Sequence, residues 1–264
     1  MKGEINSHIL NYTIQGEGQA VLLLHGFMET LHIWDEIAQV LSQNYKVITI
    51  DLPGHGLSDD LKSDISIDHM ASLIKELINK LEIEKASIIG HSMGGYVGLA
   101  FADIYPARIE SLCLFHSMAG SDSDEAKEIR DRKIKLMLKH PHALIEESIK
   151  NLFWEEKRVE LAKEIEQLSN KAKERSPSGY IQALEAMKKR PNRSNVLKTD
   201  IPIYYLAGKH DPIIPLEKSL FESKNINLGR FKILNNSGHM GFLEEKELSL
   251  ELLTKFLERN FKRH

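Results

Sequence analysis

Apolar residues along this chain follow two rhythms. Short unbroken runs such as Ala20-Val21-Leu22-Leu23-Leu24, Val47-Ile48-Thr49-Ile50 and Ser111-Leu112-Cys113-Leu114-Phe115 alternate with stretches where they recur every three or four positions. A continuous run suits a strand covered on both faces, and the longer spacing suits a helix with one buried side. Residues 9–14 read as a first strand, turned by Gly16-Glu17-Gly18 into the run at 20–24. Trp34, Ile37, Ala38 and Leu41 then predict a helix, and 46–50 a strand. Met70, Leu73, Ile74, Leu77, Ile78 and Leu81 form one helical face, with Ser66 or Asp68 placed to cap its start. A strand at 86–89, a helix ended by Pro106 and a strand at 109–115 complete a β/α alternation. Such alternation predicts a mostly parallel, twisted sheet with helices on both faces.

After His116 the pattern changes. Up to about Arg193 charge is dense, periodicity is helical and no strand is expected. The predicted helices are 124–139, 142–153, 155–175 and 178–189, punctuated by Pro141, Ser176-Pro177-Ser178-Gly179 and Pro191. A strand at 201–207, a helix near 215–222, a strand at 230–234 and a closing helix burying Leu248, Leu252, Leu253, Phe256 and Leu257 resume the earlier alternation. The chain therefore divides into a core (1–116), a helical cap insertion (117–195) and the rest of the core (196–264).

Composition narrows the function classes. The 264 residues, 42% of them hydrophobic, are enough for a large core. A formal net charge of -3 gives no reason to expect nucleic acid or an anionic membrane as partner. A single cysteine, Cys113, excludes an internal disulfide. No apolar run approaches a membrane span, and residues 1–6 lack the apolar core of a signal peptide, so a cytoplasmic location is expected. The histidines show no metal-ligand spacing, and neither metal nor cofactor is expected.

The stretch with chemistry in it is Gly90-His91-Ser92-Met93-Gly94, lying between the strand at 86–89 and the helix that follows. A serine at the tip of so tight a turn projects its hydroxyl into a cleft, and glycines on either side leave the neighbouring chain room to pass. The helix beginning near Met93 aims free N–H groups at the same point.

With that turn in its strand-to-helix context, the chain resembles the α/β-hydrolase family over nearly its whole length. His25-Gly26-Phe27 stands where the family has its oxyanion loop. Asp211, in Gly208-Lys209-His210-Asp211-Pro212, matches the acid, and His239, in Ser237-Gly238-His239-Met240-Gly241, matches the base. The resemblance implies a catalytic serine, Ser92, with His239 as general base, Asp211 as its orienting acid, and the backbone N–H groups of Phe27 and Met93 as oxyanion donors. The loop after Phe115 is the alternative place for the acid, but His116-Ser117-Met118-Ala119-Gly120 offers no carboxylate before Asp122. Asp51 reads as structural. Serine at the nucleophile position argues against the dehalogenase and epoxide-hydrolase branches, which use aspartate there.

The resemblance thus points to cofactor-free acyl chemistry on a small-molecule ester, with small or medium, largely apolar substrates. Carbon–carbon bond hydrolases, thioesterases and perhydrolases share the same residues, and some members of the fold only bind ligands. Residues expected to line the pocket are Met28, His116, Phe153, Trp154, Tyr180, Met187, Ile213 and Met240.

Overall fold

The computed structural model describes residues 1–62 and 65–261. Strands β1 (Lys2–Ile5) and β2 (His8–Gln15) form a hairpin with Ile5 opposite His8. Its two turn residues, Asn6 and Ser7, have φ of 47° and 63°, the left-handed pair that a two-residue hairpin turn requires. β1 was not expected from the sequence, because four residues with a central glycine carry little strand signal.

Next come β3 (Ala20–Leu24), α1 (Asp35–Leu41), β4 (Lys46–Ile50), α2 (Ile67–Lys80), β5 (Ala86–His91), α3 (Met93–Ile104) and β6 (Ile109–Phe115). The middle of the chain holds α4 (Asp124–Lys139), α5 (Pro141–Lys150), α6 (Ala162–Lys173) and α7 (Pro177–Lys189), with no strand among the described residues. β7 (Ile203–Gly208), α8 (Leu216–Ser223), β8 (Gly229–Leu234), α9 (Gly241–Glu244) and α10 (Lys246–Phe261) close the chain.

The eight strands lie in the order β1-β2-β4-β3-β5-β6-β7-β8. β1 and β2 are antiparallel to their neighbours, and the pairings from β4 through β8 are parallel. Parallel strands bury both faces, and alternate residues divide between two cores. Leu22, Leu24, Ile48 and Ile88 pack with α2 and α3, whereas Val21, Leu23, Val47 and Ile89 pack with α1 and α10. Ser66 caps α2, its hydroxyl accepting the His69 N–H at 3.0 Å.

The strand order also decides where a site can form. The chain steps from β3 outward to β4, then crosses back over β3 to β5. Connections leave the sheet in opposite directions at that point, opening a crevice at the carboxyl ends of β3 and β5. No helix among the described residues is long and apolar enough to cross a membrane.

The middle segment is fastened to the sheet at named points. Arg175 and Ser178 reach Asp60, Gln182 pairs with the backbone of Leu61, and Arg193 bridges Asp68 and Asp103. Two of its helices differ from expectation. The helix expected over 142–153 is Pro141–Lys150, because the chain turns there to bury Phe153. The helix expected over 155–175 is a short turn at Glu155–Lys157 followed by α6. Trp154 takes extended backbone and stacks on His210 at 4.0 Å, while Arg158 donates to the Phe153 carbonyl. In α10, Leu253, Phe256 and Leu257 are buried, and Leu248 and Leu252 only partly so.

Candidate active site

Ser92 sits between β5 and α3 with φ 48° and ψ −113°, a conformation costing a serine on the order of 1–3 kcal/mol. The surrounding chain enforces it. A Cβ on Gly90 would run into the Gly94 carbonyl, and one on Gly94 into that of Leu24. The Ser92 N–H donates to Phe115 O at 2.9 Å, and Ser117 Oγ donates to the Ser92 carbonyl at 2.8 Å. Met93 opens α3, so its N–H has no acceptor within the helix.

Asp211 lies in the loop after β7 and His239 in the loop after β8. One carboxylate oxygen of Asp211 accepts the N–H groups of Ile213 and Ile214 at 2.8 and 2.9 Å. The other accepts Nδ1–H of His239 at 2.8 Å. Burial alone would raise the Asp211 carboxyl, but the electrostatic interaction with His239 and the hydrogen bonds outweigh it and hold the group far below the usual carboxylate range. With its proton on Nδ1, His239 keeps a lone pair on Nε2, which is buried without a hydrogen-bond partner among the described residues. His239 and Ser92 line the same cavity. A serine hydroxyl sharing a cavity with an acceptor nitrogen whose opposite side faces a buried carboxylate supplies the groups that base-assisted nucleophilic attack uses.

Two further histidines flank this pair. His116, at φ 47°, is buried behind Asp211. The Gly208 N–H donates to His116 Nδ1 at 3.1 Å, so that nitrogen carries the lone pair and its 3.2 Å approach to Asp211 has no proton between. His116, Asp211 and His239 together have the residue types of a cation site. Their converging atoms are already engaged, His116 Nδ1 by Gly208 and Asp211 by the His239 proton, so the trio does not fit a metal ion.

His91 is a clamp. Its Nε2–H donates to the His239 carbonyl at 2.8 Å, and its Nδ1 meets Glu29 at 2.9 Å. Glu29 also accepts the Gly26 N–H. The serine turn, the loop after β3 and the loop carrying His239 are thereby tied through one buried pair. Asp51 receives the N–H groups of Leu31 and Leu57 and the Asn11 amide, which gives it a structural task.

The cavity at Ser92 is narrow, about 80 Å³. Of the residues expected to line it, Met28, Met187 and Ile213 do, together with Phe27. His116, Phe153, Trp154, Tyr180 and Met240 do not. His116 lies behind Asp211, Phe153 and Met240 are packed in the core, Trp154 stacks on His210, and Tyr180 is buried with its hydroxyl donating to Ala172 O at 2.9 Å. Sequence reasoning missed Glu29, Tyr96, Ile149 and Leu152, and above all Arg130 and Lys133 of α4. Two cations in the wall do not suit the expected, largely apolar substrate. The signal for them was their three-residue spacing on a predicted helix, but nothing in the sequence says which face of that helix meets the cleft.

The buried histidines make the fold acid-sensitive. Burial disfavours the charged form of His25, His55 and His116 and lowers all three, His116 to about 4 from 6.5. Below about pH 6.5 the unfolded chain takes up protons that these folded-state groups refuse, so stability falls with pH. His91 runs the other way: burial lowers it, but the Glu29 charge and hydrogen bond prevail and raise it. Its contribution is complete below 6.5 and is lost only as pH rises through its folded value. His116 alone is expected to remove about 3 kcal/mol between pH 6.5 and 4. Urea unfolding at about pH 7, 6 and 5 measures this; a flat profile would contradict neutral buried histidines.

Residues 19–246 match the family model described as alpha/beta hydrolase fold. A thermophilic esterase from Thermogutta terrifontis has a structure similar to this one, with a TM-score of 0.92, 29% identity and 98% of each chain covered. A pimeloyl-[acyl-carrier protein] methyl ester esterase of Legionella pneumophila is 27% identical over 259 residues, 96% of this chain and 100% of that protein. An uncharacterised protein of Mycobacterium tuberculosis is 38% identical over 103 residues; the match covers 39% of this chain and only 30% of that longer protein's length. The family match spans most of the sheet and both sides of the helical segment, and with it the chain belongs to the alpha/beta hydrolase fold family.

Proposed function

We propose that this protein is a serine hydrolase that cleaves carboxylic esters of small substrates through an acyl-enzyme on Ser92, with the helical segment 117–195 serving as a cap. The observation that carries the reading is the state of His239. Its Nδ1 proton is held by Asp211 at 2.8 Å, and its Nε2, in a residue that lines the same cavity as Ser92, has no partner among the described residues.

In this mechanism Ser92 Oγ attacks the ester carbonyl carbon while His239 Nε2 takes the hydroxyl proton. The carbonyl oxygen becomes an oxyanion, received by the N–H groups of Met93 and Phe27. Collapse of the tetrahedral species breaks the bond to the alcohol oxygen, which leaves with the proton from His239. Water, deprotonated by the same nitrogen, then attacks the acyl-enzyme, and the carboxylic acid departs as Ser92 regains its proton. Asp211 keeps His239 in the required tautomer and stabilises the transient imidazolium. The strained turn at Ser92 is held by the backbone packed around it, through Gly90 and Gly94, and so needs no substrate contact to form.

A fluorophosphonate probe and a series of p-nitrophenyl esters test the reading. Wild type is expected to be labelled on Ser92 and to turn over short acyl chains fastest, in keeping with the narrow cavity. Absence of both labelling and turnover sinks the hydrolase reading and leaves a ligand-binding protein on this fold.

A further inference from the structure

Lys133 stands out among the residues of the cavity. It is partly buried in the wall and makes neither an ion pair nor a hydrogen bond among the described residues. Its neighbour one helical turn earlier, Arg130, also lines the cavity. Arg130 gives two of its nitrogens to Asp122 but turns Nη1 to the thioether of Met187 at 3.4 Å. Sulfur of that kind is a weak acceptor, so a charged donor is spent on almost nothing. Asp122 is itself shared, because Arg190 donates to it at 2.6 Å and lays its guanidinium 3.9 Å over the ring of Tyr96, another cavity residue.

Charge counting gives the consequence. Arg130 and Arg190 share the one carboxylate of Asp122, and Lys133, one turn on from Arg130 in the cavity wall, has no carboxylate in contact among the described residues. Three cations thus stand against one paired carboxylate, an excess of two positive charges. Glu29, also in the wall, is matched by His91 beneath it. Glu147 acts on Lys133 without contact, from an exposed position on α5. Burial, followed by the charge of Arg130, pushes the Lys133 ammonium below its ordinary value, which is the mark of a cation lacking its counter-charge. A protein gains nothing in stability from such an arrangement, and an anion entering the cavity would relieve it.

We infer that Lys133 and Arg130 form an anion subsite of the Ser92 cavity, and that the preferred ester ends in a carboxylate or a phosphate-like group at the far end of a short chain. The inference rests on Ser92 being the nucleophile of an ester hydrolase. Two oxygens of one terminal group would accept from Lys133 Nζ and from the Arg130 nitrogen now facing Met187. Met28, Ile149 and Leu152 would cover the methylenes between that group and the ester.

Three methyl esters of matched length make the test: monomethyl glutarate, methyl 4-phosphonobutanoate and the neutral methyl 5-oxohexanoate. Wild type is expected to favour an anionic ester over the neutral one in kcat/KM by roughly tenfold to 100-fold, the scale of a charge-assisted hydrogen bond. Whichever anion leads identifies the terminal group. Lys133→Gln is expected to collapse that ratio, Lys133→Glu to invert it, and Lys133→Arg to restore most of it. Lys127→Gln, on the exposed side of α4 and paired with Asp124, leaves the ratio unchanged.

Equal rates on all three esters in wild type, or a ratio indifferent to Lys133→Gln, overturn the subsite. Should no ester be turned over, the hydrolase reading fails by itself. The subsite is then decided by calorimetric titration of glutarate into Ser92→Ala, where binding lost in the Ser92→Ala/Lys133→Gln double variant supports it and absence of binding refutes it.

Discussion

Ser92→Ala is expected to lower kcat on short p-nitrophenyl esters by roughly 10⁴–10⁶-fold and to abolish labelling by the fluorophosphonate probe. The size follows from what the substitution removes. In the proposed mechanism no acyl-enzyme forms without Oγ, and the expected residual turnover comes from water acting with His239 and the oxyanion donors. The fold should not notice. The turn at φ 48° is dictated by the close passage of Gly90 and Gly94 against neighbouring backbone and by the hydrogen bonds of the Ser92 N–H and carbonyl, all of which alanine keeps. No side-chain cap is lost either, since Ser92 Oγ does not cap α3. Equal melting temperatures for the two proteins, with activity lost in one, isolate the chemistry. A variant that keeps even a hundredth of wild-type turnover would place the nucleophile elsewhere.

Asp211→Asn is expected to cost about 10⁴ in kcat while leaving the protein folded. The hydrogen-bond pattern around Asp211 says why. Its Oδ1 accepts two backbone N–H groups, from Ile213 and Ile214, so the asparagine oxygen must occupy that place. The amide NH₂ then faces His239 Nδ1 at the position where Oδ2 now accepts a proton at 2.8 Å. A donor there forces the imidazole proton onto Nε2, and a protonated Nε2 cannot take the proton of Ser92. Folding survives because both backbone donors keep their acceptor. Kinetics give the loss. Nitrogen-15 chemical shifts of His239 give the tautomer directly, and a variant retaining the Nδ1–H form with the same loss of rate would require another explanation.

Much of this arrangement was readable before any coordinates. Seven of the strands, His8–Gln15, Ala20–Leu24, Lys46–Ile50, Ala86–His91, Ile109–Phe115, Ile203–Gly208 and Gly229–Leu234, lie within a residue or two of their expected bounds, because apolar runs between turn residues are a local signal. α4 spans the expected 124–139, its start marked by Ser123, which accepts the Ala126 N–H. The weakly patterned pieces were harder. β1 exists because β2 offers it an edge to pair with, and the helix expected at 155–175 starts only at Ala162, after a short turn at Glu155–Lys157. Neither fact is written in the residues concerned.

The cavity wall shows the same limit in its sharpest form. α4 buries only Met137, while Ile129, Leu136 and Leu138 point outward. A helix whose apolar residues are mostly exposed has no stripe to announce its inward face. Arg130 and Lys133 could therefore not be assigned to the cleft, and Phe153 and Tyr180 were expected there as an apolar wall. The sequence by itself determined the alternating sheet and the strand-end positions of Ser92, Asp211 and His239, since turn chemistry and hydrophobic period act over a few residues. Tertiary structure alone decided that His91 ties three loops together, that His116 stands behind Asp211, and that Arg130 and Lys133 of α4 line the cavity at Ser92. Those outcomes depend on how each helix is rotated and which loops meet, and such choices are made by packing between residues far apart in the chain.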